Sequence, residues 1–363
     1  MAVFDDNIGG ISDAALATRL AAAGLTVATA GTASPLANSG AAAVGSGTKF
    51  AREDHQHPLA PVTILPGGRL TLATATPVMM SSVTGATTVY YTPYKGRSVP
   101  IWNGTVFVAT DTGGELSQTT TDTTKSPAAV GASSVYDVFV WNDAGTIRAT
   151  RGKVWTSTTA RADALILKNG VLVNNVAVTN GPAQFYGTYV GTIASNGTST
   201  IDWTLGTAAS GGGAANLMVW NYYNRVNTIT RVTDSGVTYT YTTATVRQAR
   251  ASATNQINYV AGVAEDAPDA SYQQGATLVG AVAANVQIGV GDDSVTVFET
   301  VPGQVYTNVA VVLTGRANVR YQKGYGEPML GVHYIAALEL GDGTNANTFN
   351  VGTQGELSFA FMM

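Results

Sequence analysis

From Val62 onward, apolar and polar positions alternate with a period of two in short runs, broken by Gly, Asn and Asp. Such runs put alternate side chains on opposite faces of an extended chain, and closely spaced turn residues predict an all-β sandwich or barrel. Residues 69–72, 88–92, 99–102 and 105–108 form a first set, the last two joined by Asn103-Gly104, a strong hairpin signal. Residues 135–141 and 146–150 flank a second turn, Asn142-Asp143-Ala144-Gly145. Beyond Asn180-Gly181-Pro182 the pattern predicts strands at 188–193, 217–226, 237–243, 286–290, 309–313 and 332–340. Gly291-Asp292-Asp293 predicts a hairpin pairing 286–290 with 295–298, and the alternation at 357–361 predicts a last strand lying inside a sheet. The uncharged stretch 270–291 is interrupted by Gln273, Gln274, Asn285 and Gln287, so it reads as a loop entering a strand and not as a membrane-spanning helix.

The front of the chain has a different pattern. Ser12 or Asp13 is suited to cap a helix over 14–24 that Gly24 closes, and no other segment has a convincing helical period. A helix this short is marginal alone in water, so the strip containing Ile11, Leu16 and Leu20 predicts close packing against a partner or symmetry mates. Residues 26–50 are almost all Ala, Gly, Thr and Ser and cannot build a core, which predicts an extended course along another surface.

Length and composition narrow the function. At 363 residues the chain has room for about two domains plus a stalk. Charged residues make up 12%, against about 25% in an ordinary globular protein, so Thr, Ser, Asn and Gly must cover much of the surface. The net charge is −4 and the Lys and Arg are scattered singly, which argues against nucleic acid as a partner. Absence of Cys excludes disulfides, thiolate metal sites and Cys nucleophiles. Asp5 and Asp6 stand where a secretory leader carries positive charge, so assembly in a cytoplasm is expected.

Two of the three histidines fall in Gly47-Thr48-Lys49-Phe50-Ala51-Arg52-Glu53-Asp54-His55-Gln56-His57-Pro58. The segment resembles the Arg-x-Asp-His-x-His-Pro element near the front of many fibre and appendage proteins of tailed bacteriophages, where a thin connector meets folded β structure. Glu53 and Gln56 depart from the small or aliphatic residues common there. Thr88-Val89-Tyr90-Tyr91-Thr92-Pro93-Tyr94, Ile101-Trp102-Asn103-Gly104, Gly187-Thr188-Tyr189-Val190-Gly191-Thr192 and Val219-Trp220-Asn221-Tyr222-Tyr223-Asn224-Arg225-Val226 are similar to segments in the bodies of such proteins. The resemblance implies a homotrimeric virion component, anchored by its N-terminus to tail or capsid and turned toward a glycan or protein of the host surface. The expected architecture is mainly β: an anchor and connector over 1–58, a β-rich middle domain over 59–181, and a C-terminal antiparallel β-sandwich of jelly-roll type over 182–363.

The candidate chemistry is sparse. His55 and His57, two residues apart on an extended strand, share a face. Around a three-fold axis six imidazoles could then hold one transition-metal ion, as the resemblance to T-even long tail fibres suggests; alternatively Asp54 and the histidines bond backbone and stiffen a hinge before Pro58. No cofactor is required. Glu265-Asp266 with Asp269, or Asp292-Asp293, could serve as a glycosidase pair, but a solvated loop and a hairpin turn explain them as well. No motif of a nucleophile elbow, phosphate loop or zinc hydrolase is present, so a non-enzyme is expected. Trp220, Tyr222 and Tyr223 form either an exposed platform for a sugar ring or core packing, with alternation sending Tyr223 to the face opposite Trp220 and Tyr222. His333 reads as an ordinary packed or surface residue on a strand, and residues 342–347 as a turn. The function these features predict is a virion fibre or spike for host attachment, with a polysaccharide-degrading tailspike and a capsid decoration fibre as alternatives.

Overall fold

The structure is a computed structural model, and it describes residues 13–24, 65–279, 283–323, 329–352 and 355–363. The chain divides into two units, Met1–Thr63 and Ile64–Met363. In the first, the helix Asp13–Ala22 forms where the Ala-rich stretch predicts it. Ala23 N–H bonds back to Arg19, and Gly24, at φ 72°, closes the helix in the left-handed conformation that glycine adopts without strain. Leu16 is exposed and Leu20 half-buried.

The second unit is mainly β. Two large sheets stack face to face. One runs in the order Val83–Ala86, Ile201–Thr204, Ala215–Leu217, Gln256–Ala261, Gly331–Leu340, Ala284–Asp292, Gly303–Thr307. The other runs Ala208–Ala209, Asn227–Asp234, Gly355–Met362, Asp269–Val279, Thr348–Phe349, Tyr239–Thr240, with Val312–Gln322 on the far side of Asp269–Val279. Tyr259 of the first sheet meets Phe359 and Phe361 of the second at 5.0 and 5.1 Å between ring centres, so the interior is aromatic where the sheets are closest. The ladders are antiparallel apart from two parallel ones, Ala208–Ala209 with Asn227–Asp234 and Ala215–Leu217 with Gln256–Ala261, among the described residues. The sandwich is therefore mixed, where a purely antiparallel one is expected from the sequence.

A further sheet of six strands runs Thr146–Val154, Val135–Asp143, Thr188–Ala194, Val171–Asn174, Leu165–Lys168, with Val219–Asn221 also on Thr188–Ala194. The position 181/182, where a domain boundary is expected, is crossed by three ladders: Val171–Asn174 and Val135–Asp143 with Thr188–Ala194, and Val83–Ala86 with Ile201–Thr204. Buried residues from Leu70 to Met363 make one continuous core.

Several local expectations are corrected. Residues 270–279 are not a loop but most of the strand Asp269–Val279, in which Ala270, Tyr272, Gln274, Ala276 and Leu278 point inward and Gln273 outward. Residues 295–298 do not form a strand beside 286–290: Gly303–Thr307 takes one edge over 284–288, Gly331–Leu340 the other over 287–292, and Glu299 N–H reaches the Val290 carbonyl. The segment lies instead over that strand: the Phe298 ring occupies the space a side chain at Gly289 would need. The run 217–226 is cut at Met218, where the chain leaves one sheet at Leu217 and enters another at Val219. The Asn103-Gly104 hairpin has a four-residue loop, since Trp102 pairs with Phe107.

Candidate functional site

Ile11, His55 and His57 lie outside the described residues. Trp220 is fully buried, and its Nε1–H donates to the Met362 carbonyl at 3.0 Å. Strand geometry ends at Asn221, so Tyr222 and Tyr223 do not alternate as expected; they meet edge to face, 4.7 Å between centres, and both are half-buried. Burial pushes the Tyr223 hydroxyl up to about 12. Of the two readings of these aromatics, Trp220 follows core packing, while Tyr222 and Tyr223 are half-buried beside it. Arg225, which stacks 5.4 Å from the Trp220 ring, pairs with Glu265 at 2.6 Å and with Asp266. Both carboxylates of that loop are engaged by one guanidinium.

On the strand Gly331–Leu340, His333 Nδ1 lies 2.6 Å from Asp293 Oδ2, and the Nε2 3.1 Å from the Leu330 carbonyl. Burial raises the Asp293 carboxyl, but bonds from His333 and the Tyr334 N–H outweigh it and hold the group below its ordinary value. Asp292 accepts from Tyr321 at 2.6 Å and Lys323 at 2.9 Å. Asp342 accepts the backbone N–H groups of Thr344 and Asn345 and the side-chain amides of Asn345 and Asn347, a self-contained turn.

Two hairpins that the sequence marks only as turns flank an open cleft of about 430 Å³, lined by Trp102, Asn103, Val108, Thr110, Asn142 and Tyr186 among others. This volume is within the range of small-ligand sites. Trp102 is held from behind: its ring tilts against Phe107 at 5.1 Å, and Lys168 Nζ sits 4.3 Å from its centre and 4.6 Å from that of Phe185. Tyr186 forms the opposite wall, 37% exposed. Its position depends on a strained loop, for Phe185 has φ 73°, uncommon for a bulky side chain. That loop is fixed by Asn174, 3% exposed, whose amide donates to the Val176 and Ala183 carbonyls and whose oxygen accepts from Gly187 N–H. Gly104, at φ 103°, comes so close that a Cβ there would stand 3.0 Å from the Tyr186 hydroxyl.

The two asparagines have parallel roles. Asn103 Oδ1 accepts the N–H groups of Thr105 and Val106 at 2.9 Å, and Asn142 Oδ1 accepts that of Gly145 at 2.7 Å. With both oxygens bound to backbone, these side chains have N–H donors left to offer. No charged side chain lines the cleft. Aromatic rings, amide donors and an uncharged wall suit a neutral polyhydroxylated ring, whose C–H face packs on an aromatic and whose oxygens accept hydrogen bonds. Sequence signals for this site exist in Trp102 beside an Asn-Gly pair and in Phe185-Tyr186, but only the fold brings the two together.

No protein-family model matches the chain, and no curated protein does. Among solved structures, a chain from the "Structure of infectious bursal disease virus Gx strain" matches over 84% of this chain and 74% of its own, at 12% identity and a TM-score of 0.26. A likeness that low carries no argument about fold or role. No helix among the described residues is long and apolar enough to cross a membrane.

Proposed function

We propose that this chain is a non-enzymatic appendage protein of a tailed-phage virion, a trimer whose residues 1–58 dock on tail or capsid. In this reading its sandwich is of the jelly-roll type and its body binds a neutral host-surface glycan. The assignment to a virion rests on the resemblance of residues 47–58. The observation that carries the attachment role is the cleft between Trp102 and Tyr186, with its two free amide donors and no charged wall. Engagement of Glu265 and Asp266 by Arg225 supports binding over hydrolysis.

The test is binding of purified full-length protein to oligosaccharides from the host surface, measured by calorimetry or on a glycan array. Trp102→Ala and Tyr186→Ala should each weaken binding by the folded protein roughly tenfold, the equivalent of about 1.4 kcal/mol, with the β circular dichroism spectrum retained. Unchanged affinity in both variants would remove the cleft from the reading. Absence of binding to every neutral host glycan would remove the attachment role.

A further inference from the structure

The sandwich is unevenly finished. Among the described residues, nine of the 23 large apolar side chains that stand exposed fall in the stretch from Val279 to Leu313. Six of them, Val279, Tyr306, Val309, Val311, Val312 and Leu313, fall at one corner of the sandwich, where Val279 pairs with Val312 and Thr307 with Ala284, while Val295 and Val297 lie toward Gly289 at the other end of Ala284–Asp292. Among the described residues, Gly303–Thr307 is the last strand of one sheet and pairs only with Ala284–Asp292, and Val312–Gln322 pairs only with Asp269–Val279. Val301 is 85% exposed, Val312 73%, Tyr306 55% and Val309 53%. Lower down Val312–Gln322 the outward positions turn polar, at Arg316, Asn318, Arg320 and Gln322, so the apolar character is confined to the upper part of the edge.

We infer that this side of the sandwich is the surface on which copies of the chain pack against one another. The six residues at that corner leave open on the order of 500 Å², as large as the apolar patches that are often functional on a monomer. Residues 300–315 contain no charge at all, and interfaces between identical chains are the more apolar class. Proteins that remain monomeric blunt their edge strands with lysine or inward-pointing charge. Gly303–Thr307 and the first four residues of Val312–Gln322 have neither. A second copy brings the same uncharged face and the same open edges, which a charged or glycosylated partner does not.

This interface supplies the contact that the proposed trimer requires, and it rests on that reading only for the number of copies. Full-length protein should scatter light as a multiple of its 37.3 kDa mass, and the pair Val301→Lys and Val312→Glu should reduce it toward the single-chain value with an unchanged β circular dichroism spectrum. Because the chain has no Cys, a single Val312→Cys should be joined between chains by a short bis-maleimide, while Val237→Cys, 79% exposed on the opposite side, should not. A wild-type monomer at micromolar concentration overturns the inference, as does cross-linking at 312 no faster than at 237. Glycan binding measured on the same samples separates the two proposals. A monomer that binds glycan sinks the interface and spares the attachment role, and an oligomer that binds none does the reverse.

Discussion

Removing the Arg161 side chain tests how the core tolerates charge. Asp137 is 5% exposed and receives both arms of Arg161, Nε to Oδ2 at 2.8 Å and Nη2 to Oδ1 at 3.1 Å, while Thr192 Oγ1 donates to Oδ1 at 2.8 Å. The same guanidinium stacks 4.5 Å from the Trp155 ring and donates to the Gly262 carbonyl. In Arg161→Ala the carboxylate keeps Thr192 but loses its counter-charge, so the cost is that of an unpaired buried ion, about 3–5 kcal/mol at neutral pH. Burial already pushes the Asp137 carboxyl above its ordinary 3.8, against the pull of Arg161; without that pull it must rise further. A carboxyl raised in the folded state contributes stability below its unfolded value and loses it as pH climbs through the folded one. The variant should therefore approach wild type in stability as pH falls from 7 to 5, and a second change, Asp137→Asn, should recover part of the loss at pH 7. Urea unfolding followed by tryptophan fluorescence at fixed protein concentration measures all three. A loss below about 1 kcal/mol at pH 7, against the several expected for an unpaired buried ion, or a gap that stays constant or widens on acidification, would refute the argument.

Two further outcomes follow from the same reasoning. Trp220→Ala should cost about 3–5 kcal/mol, as for other buried large-to-small changes, yet leave glycan affinity of the folded fraction unchanged; selective loss of binding with normal stability would restore the aromatic strand as the sugar platform. If His55 and His57 hold a metal across the trimer axis, elemental analysis should find about one transition-metal ion per trimer, lost below pH of about 6 to 6.5 where imidazole protonates and absent from the His55→Asn, His57→Asn variant. Metal-free wild-type trimers would leave the hinge role only.

The elements legible from the sequence are those in which one local signal decides the backbone. The helix Asp13–Ala22 follows from alanines and a closing glycine, and the turn between Val135–Asp143 and Thr146–Val154 from Ala144 and Gly145, both at positive φ. Asn169-Gly170 is an equally plain hairpin signal, and it joins Leu165–Lys168 to Val171–Asn174 with both residues at positive φ. What pattern could not give is partnership. Asp269–Val279 looks like a loop because Gln273 and Gln274 interrupt its apolar run, but it lies between two strands and Gln274 is 1% exposed. The cleft was illegible for a related reason: its walls, Trp102 and Tyr186, are 84 residues apart in the chain and meet only through the Asn174 loop.

Gly355–Met362 lies in the interior of its sheet, paired with Asn227–Asp234 on one side and Asp269–Val279 on the other, and Met363 is fully buried, its backbone bonded to Val226 and its carbonyl to Arg69. A ribosome makes these residues after every strand they hold together. Until residues 355–363 emerge, Asn227–Asp234 and Asp269–Val279 each present an unpaired edge to their surroundings, at the stage when exposed edges invite misassembly between nascent chains. This sheet therefore closes only once residues 355–363 have been made, and an interruption of translation just short of residue 355 releases a chain whose sheet lacks its central strand.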